Sequence, residues 1–369
     1  MTQPHLSHLA LSQFRSHARA RLAFDGRPVA LWGPNGSGKT NLLEAVSFLS
    51  PGRGLRRAAS DEAGRRAEGV GWKVAATLAL PGTTREIETQ ALPGEARTVR
   101  IDGKTAPQLD LARLVPILWL VPAMDRLWTE GAEGRRRFLD RAALSLFPDH
   151  GEASLAYEKA MRERNRLLKD GSRDAHWYAA LESQMAQAGT RIARNREATV
   201  ARLMQAQGQA ETAFPAASLA ITYPEDPLPP SEELLAAALE RGRWRDMAAG
   251  RSLLGPHRAD LEAVWTAKGV PARDCSTGEQ KALLVSLILA NARAIEADGT
   301  APLLLLDEVA AHLDPARRAA LYDEVCGLGL QAFMTGTEPA LFAELGTRAQ
   351  VWEASEQGGV TTLAERSTP

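Results

Sequence analysis

Eight residues near the N-terminus, Gly33-Pro34-Asn35-Gly36-Ser37-Gly38-Lys39-Thr40, constrain this chain more than any other stretch. They fit G-x-x-x-x-G-K-[ST] at every fixed position. The short apolar run Val29-Ala30-Leu31-Trp32 precedes them and predicts a buried strand. The residues that follow carry Leu42, Leu43, Val46 and Leu49 at helical spacing. Strand, glycine-rich loop and helix in that order make a phosphate cradle. Glycines let backbone N–H groups approach phosphate oxygens, and the helix N-terminus adds a positive dipole end. In such a cradle Lys39 reaches the β- and γ-phosphates of a nucleoside triphosphate, and the Thr40 hydroxyl binds Mg2+. Gly33 to Thr40, with Asn41 after them, form the candidate nucleotide-binding set.

A second segment supplies acids. Pro302-Leu303-Leu304-Leu305-Leu306-Asp307-Glu308 is an apolar strand ending in two carboxylates. A buried strand of a parallel sheet delivers Asp307 to the sheet's C-terminal edge, where ligands bind in such folds. There Asp307 holds Mg2+ through its water shell, and Glu308 polarises the water that attacks the γ-phosphate. Alone, the run is a common strand end. Beside a phosphate loop it is the second half of a nucleotide site, with Lys39 and Glu308 as candidate catalytic residues and Thr40 and Asp307 as candidate metal ligands.

Between these segments the pattern changes. Apolar side chains alternate from Val70 to Leu80, and Thr84–Leu92 and Arg97–Ile101 read as further strands, with a turn at Asp102-Gly103. From Arg135 to Phe214 the chain is rich in Ala, Arg, Glu, Leu and Gln and reads as helices broken at Lys169-Asp170-Gly171-Ser172. The second arm, about 175–214, would run about 60 Å as one continuous helix. Tyr223–Ser231 reads as a proline-rich linker, and strand–helix alternation returns after Gly255.

Cys275-Ser276-Thr277-Gly278-Glu279-Gln280-Lys281 opens an apolar-faced helix. A hydroxyl, a glycine and a helix N-terminus form an anion site; the same residues also make an ordinary helix cap. The segment resembles the signature motif of ABC-type ATPases at Ser276, Gly278 and Glu279, while Cys275 and Thr277 depart from the commonest pattern. The resemblance implies that Ser276, Thr277, Gly278 and Glu279 contact ATP held on the phosphate loop of a second subunit. It also implies that Asp314, in His312-Leu313-Asp314, belongs to a D-loop coupling two sites across a dimer. Thr335 and Thr337 stand near the place of the switch histidine of transporter-type ATPases.

Further segments narrow the match. Gln13-Phe14-Arg15, the block from Gly33 to Arg56, Arg135 to Arg141, Gly255-Pro256-His257-Arg258 and Met334 to Glu338 together resemble the RecF family of SMC-like ABC ATPases, from about residue 6 to residue 343. The resemblance implies an α/β fold: an ABC-type P-loop ATPase domain with an antiparallel β subdomain, interrupted by a helical insertion domain. The expected division is 1–125 with 250–369 for the ATPase domain and 126–249 for the insertion. It implies ATP and Mg2+ as cofactors, an ATP-dependent homodimer with slow hydrolysis, and binding to double-stranded DNA and gapped or single-stranded junctions. It implies RecR and RecO as partners, helping RecA displace single-strand-binding protein, and a cytoplasmic, nucleoid-associated location. The residue of the Q-loop, near Trp119–Arg126, and the roles of His257 and Arg258 stay open.

Charge qualifies the DNA expectation. With 44 Lys+Arg against 45 Asp+Glu the net charge is −1, so no global basic field attracts nucleic acid. Arginines nevertheless cluster at Arg53–Arg57, Arg65-Arg66, Arg135–Arg137, Arg162–Arg166 and Arg191–Arg196. The last two, on helices, read as solvated faces; Arg53, Arg56 and Arg57 are the DNA-binding candidates, through backbone phosphates. The 2 cysteines have no metal-type spacing. No signal-peptide pattern and no run of about 20 apolar residues occurs, so a soluble cytoplasmic protein without a membrane partner is expected. A transporter's nucleotide-binding subunit and a small-molecule P-loop kinase are the alternatives. The long stretch between loop and signature weighs against the first, and the lack of a readable acceptor pocket against the second.

Overall fold

The computed structural model describes residues 3–65 and 69–367, so Arg66 of the second basic cluster lies outside the described residues. The chain divides into two compact units, one of residues 1–125, 210–215 and 276–369, the other of residues 126–209 and 216–275.

The first unit begins with the hairpin β1 (His5–Phe14) and β2 (His17–Ala23), then β3 (Val29–Trp32) and helix α1 (Lys39–Ser47). Strands β4 (Trp72–Leu80), β5 (Thr83–Ala91), β6 (Thr98–Ile101), β7 (Lys104–Ala106) and β8 (Ile117–Leu120) follow. The second unit holds helices α2 (Ala132–Leu146), α3 (Asp149–Lys169) and α4 (Ala175–Gly208), strand β9 (Ala217–Thr222), helix α5 (Glu232–Ala249), and strands β10 (Asp260–Trp265) and β11 (Val270–Pro271). The chain then completes the first unit with α6 (Thr277–Glu296), β12 (Leu303–Leu306), α7 (Pro315–Gly327), β13 (Ala332–Gly336), β14 (Gln350–Gln357) and β15 (Val360–Arg366).

Two sheets build the first unit. One is antiparallel, in the order β2-β1-β4-β5-β6-β7; the other runs β15-β14-β3-β13-β12-β8 and is parallel except for β15. Every side chain of β12 is buried, as its unbroken leucine run requires of a central parallel strand. Phe14, Phe48 and Trp72 meet with ring centroids 5.1 to 5.7 Å apart, joining the antiparallel sheet to the end of α1.

The second unit is not purely helical, and it retains residues 250–275, which the sequence assigns to the ATPase domain. The reason is a strand pairing: β10 lies antiparallel to β9 over six residues, Asp260 to Trp265 against Thr222 to Ala217. The long second arm spans 34 residues, about 50 Å, and ends at Gly208 before Phe214 is reached. The helical arginine clusters are not simply solvated faces either. Arg164 is fully buried and Arg196 nearly so. Arg164 donates to Asp246 (2.6 Å), Ser252 (2.8 Å), Glu182 (3.1 Å) and the Leu239 carbonyl (3.1 Å). Among the described residues no helix is long and apolar enough to cross a membrane.

Candidate nucleotide site

Strand β3 ends at Trp32, and α1 begins at Lys39, so the loop between them is pinned at both ends by regular structure. Its tightness comes from the chain's own C-terminal hairpin. A Cβ on Gly33 would stand 2.1 Å from the Ala354 carbonyl, and one on Gly38 would stand 2.1 Å from the Thr361 hydroxyl. Both glycines also have positive φ, 155° and 91°. Thr361 lies 2.9 Å from the Ser37 carbonyl and 2.7 Å from the Ser16 hydroxyl, which in turn accepts from Asn41 at 2.7 Å. The Lys39 ammonium donates to the loop carbonyls of Gly33 (2.7 Å) and Pro34 (2.9 Å). Burial draws its pKa below the usual value, opposed by the charges of Glu308 and Asp307.

The carboxylates arrive from the neighbouring strands. The β12–β13 register pairs Leu306 with Met334, which sets the next residues, Asp307 and Thr335, side by side. The Thr335 hydroxyl, 1% exposed, donates to Asp307 Oδ1 at 2.8 Å and accepts the Glu308 N–H at 2.9 Å. The Thr40 hydroxyl donates to the same Asp307 oxygen at 2.9 Å. Glu308 has φ 54°, a left-handed backbone that a non-glycine residue adopts at a cost of about 1 kcal/mol or more. A cavity of about 220 Å³ is lined by Gly36, Lys39, Thr40, Asn41, Arg56 and Glu308, among others. Mg2+ is usually held by one or two carboxylates together with substrate phosphates. A hydroxyl and a single carboxylate in mutual contact, both hard oxygen donors, fit that ion.

Arg56 sits at this cavity. It donates to Asn41 Oδ1 (2.6 Å) and to the buried Glu44 (3.2 Å), which Arg15 grips with two bonds of 2.7 and 2.8 Å. Arg53 and Arg57 are exposed, and among the described residues neither has a carboxylate partner. The loop that carries them is held by Arg97, a buried residue that sequence reasoning passed over. It donates to the carbonyls of Phe48 (2.6 Å), Ser50 (3.1 Å) and Gly52 (2.7 Å) and to Thr89 (2.7 Å). With no carboxylate among these partners, burial pushes its pKa down to about 10. His17 was missed as well. Fully buried beneath the loop, it has Nε2 3.3 Å from the Gly38 carbonyl and no partner at Nδ1. Burial lowers its pKa to about 4, the contact with Gly38 opposing. Its separation of 21 residues from Gly38 left no local signal in the sequence.

The signature segment caps α6. The Glu279 carboxylate accepts from the Ser276 N–H at 2.8 Å and from its hydroxyl at 3.0 Å, a capping box. Ser276, Thr277 and Gly278 are exposed, and none of Ser276 to Glu279 lines the phosphate-loop cavity. Lys281, one turn further, is buried and donates to Asp125 at 3.3 Å. Asp314 is exposed and caps α7, accepting from the Arg317 N–H at 2.9 Å. Thr337 is exposed and outside the Asp307 network.

Comparison with known proteins agrees in extent and in fold. The family model described as RecF/RecN/SMC N terminal domain matches residues 5–358. The DNA replication and repair protein RecF of Rhizobium johnstonii is 48% identical over 364 residues, 95% of this chain and 97% of its own. That of Rhizobium leguminosarum bv. trifolii is 49% identical over 366 residues, covering 95% and 97%. The solved structure of the recombination mediator protein RecF with ATP, in the RecFOR pathway, superposes with TM-score 0.83 at 22% identity, over 99% of this chain and 100% of that one. An Smc head domain from Pyrococcus furiosus reaches TM-score 0.57 at 16% identity, over 99% and 97%. The fold is therefore the ABC-type ATPase fold of this group, mixed α/β with an antiparallel sheet and a helical region, and the chain belongs to the RecF family.

Proposed function

We propose that this chain is an ATP-driven, DNA-binding ATPase of recombinational repair and replication restart, whose first unit is the ATPase domain and whose second is the insertion. One observation carries the reading: Lys39, Thr40, Asp307, Glu308 and the structuring hydroxyl of Thr335 converge at one loop, with bonds of 2.8 and 2.9 Å onto Asp307. The names of its relatives, DNA replication and repair proteins, support the biological setting.

In this reading the loop amides and Lys39 hold the β- and γ-phosphates, Lys39 exchanging its bonds to Gly33 and Pro34 for phosphate oxygens. Thr40 and Asp307 would hold Mg2+, which when bound neutralises charge on those phosphates. Glu308 accepts the proton of the attacking water. Thr335 keeps Asp307 and the Glu308 backbone in place; with Thr335 and Thr337 near the place of the transporters' switch histidine, slow turnover is the expected consequence. Gly278 supports a second subunit at the signature. It is exposed together with Ser276 and Thr277 at the start of α6, where a second subunit's nucleotide can reach it. RecR and RecO enter as partners through the RecFOR pathway in which the solved RecF structure is named, RecA through the family resemblance alone, and Arg53 and Arg57 as candidate DNA contacts.

Sedimentation with and without ATP and gapped DNA tests this. Wild type should dimerise with ATP, and Glu308→Gln should hold an ATP-bound dimer that retains DNA. A Glu308→Gln protein that stays monomeric in saturating ATP would overturn the gating.

A further inference from the structure

The Gly255-Pro256-His257-Arg258 segment of the second unit is built with unusual redundancy around a single side chain. Gly255 has φ 141°, and a Cβ on it would lie 2.0 Å from the Tyr157 hydroxyl. That hydroxyl is 2.7 Å from His257 Nδ1, while His257 Nε2 lies 3.0 Å from the Ser252 carbonyl. Donation from Nε2 to the carbonyl leaves Nδ1 to accept from the tyrosine, so both ring nitrogens are spent. On either side, Arg196 donates to the Pro256 carbonyl at 2.6 Å and Arg136 to the Ala259 carbonyl at 2.8 Å. His257 is thereby a structural residue, and the loop has little freedom.

Arg258 is what this frame presents. Its Nε is buried with no hydrogen-bond partner, an arrangement that costs about 1–3 kcal/mol when nothing else supplies one. The nearby carboxylates are all taken. Asp260 is gripped by Arg135 at 2.7 and 2.8 Å, and Asp140 by Arg196 at 2.7 and 2.9 Å. Glu133 pairs with Arg137. Among the described residues no carboxylate pairs with Arg136 or Arg258. Arg136, from α2, is tied to the carbonyl of Ala259, the residue after Arg258, so a second guanidinium is brought to this loop with no carboxylate bonded to it among the described residues. Burial, with the charge of Arg196, disfavours the Arg136 cation, while Asp260, Glu133 and Asp140 oppose them.

We infer that Arg258, with Arg136 beside it, is a contact for a phosphodiester of the DNA backbone. The inference rests on the proposed DNA-binding function and adds a second phosphate contact, on a different unit from Arg53 and Arg57. A planar fork with unspent N–H donors matches two phosphate oxygens, and no aromatic face is offered for a base, so the contact is indifferent to sequence. The rigid loop lowers the ordering cost on binding.

The test compares wild type, Arg258→Ala and Arg258→Lys by fluorescence anisotropy on a labelled gapped duplex, with ATP, across a salt series. ATP affinity without DNA and ATP-dependent dimerisation are measured on the same preparations. Arg258→Ala should bind the duplex about 5–10-fold more weakly, with the salt slope reduced by about 1, for any DNA sequence. Arg258→Lys should keep most of the slope, and ATP affinity and dimerisation should not change. Unaltered affinity and slope in Arg258→Ala would overturn the inference, as would weakened ATP binding, which would assign the arginine to the triphosphate. Loss of dimerisation would overturn it in favour of a protein contact. If Arg258→Ala does not fold, Arg258→Gln decides: a folded glutamine variant with wild-type affinity and slope would overturn the inference. Failure of wild type itself to bind DNA would instead strike down the DNA-binding function, and is read directly from the first arm.

Discussion

Replacing Thr335 by valine exchanges its hydroxyl for a methyl group, which makes it a sharp probe of the Asp307-Glu308 turn. Valine fills the same space, so no cavity term enters. Two bonds are lost, the donation to the Asp307 carboxylate at 2.8 Å and the acceptance of the Glu308 N–H at 2.9 Å. A hydrogen bond to a charged group contributes about 1.5–3 kcal/mol and a neutral one about 0.5–1.5. The variant should therefore lose about 2–4 kcal/mol. For a unit of this size each kcal/mol moves Tm by about 2–4 °C, so a fall of about 4–16 °C is expected.

The functional consequence follows from which atoms remain. Lys39 and the loop amides are untouched, so ATP affinity should hold within about twofold. Asp307 keeps Thr40 but loses its fixed donor, and Glu308 loses the anchor that keeps its left-handed backbone in place. A misplacement worth about 1.4–2.7 kcal/mol in the transition state would slow phosphate release about 10–100-fold. The Mg2+ concentration for half-maximal turnover should rise, and Thr335→Ser should restore both properties. Thermal melts, equilibrium ATP binding and single-turnover phosphate release together decide the case. A valine variant with wild-type Tm and turnover would refute the role given to Thr335. Loss of ATP affinity with Tm unchanged would show that the hydroxyl meets the nucleotide directly.

Glu308→Gly should abolish turnover yet melt about 2–4 °C above Glu308→Gln, because only glycine relieves the positive φ; equal Tm values would show that the backbone there is unstrained. His17 is neutral when folded, with its pKa at about 4 against 6.5 unfolded, so no stability is lost above pH 6.5. As the pH falls below 6.5 the unfolded chain takes up a proton that the folded one refuses, at a cost of about 2 kcal/mol by pH 5. His17→Gln should flatten the decline of Tm between pH 7.5 and 5, and an unchanged decline would count against it. Arg164→Ala leaves Asp246 buried without its guanidinium and should destabilise the second unit by about 3–5 kcal/mol in urea unfolding; a loss under 1 kcal/mol would be inconsistent with the burial described.

The phosphate loop and the acidic strand end were legible because each is a contiguous motif flanked by an apolar run. The turn of Glu308 and the employment of Thr335 were not, since both depend on β13 lying beside β12 in one particular register. Strands β14 and β15 escaped notice for a similar reason. β14 buries consecutive residues, Gln350 to Trp352, while β15 is mostly exposed, so neither shows a clean alternation. The boundary near residue 250 was misplaced because Gly255 marks a return of strand pattern, and a strand pattern does not say which sheet will receive it. Arg164 and Arg196 read as surface because the carboxylates that bury them, Glu182, Asp246 and Asp140, come from elsewhere in the chain.

That last point changes what the net charge means for DNA. A total of −1 would matter if the charges were spread over the surface, but many arginines are consumed internally. Arg15 is held by Glu44, Arg135 by Asp260, Arg164 by Glu182 and Asp246, and Arg196 by Asp140. Among the described residues Arg53, Arg57 and Arg258 stand without a carboxylate partner, and Arg136 is hydrogen-bonded to the Ala259 carbonyl rather than to an acid. Affinity for a polyanion follows these residues rather than the sum. Three or four phosphate contacts give a salt slope of about −3 to −4 per chain, which is weak binding at physiological ionic strength. Joining two chains doubles the contacts and the slope, and since the contacts add in the exponent, the affinity rises steeply. DNA binding that is feeble in the monomer and strong in the ATP-bound dimer therefore needs no change within either chain's arginine set. If ATP does join two such chains on DNA, the dimer's salt slope should be about twice the monomer's, and equal slopes would refute that mechanism.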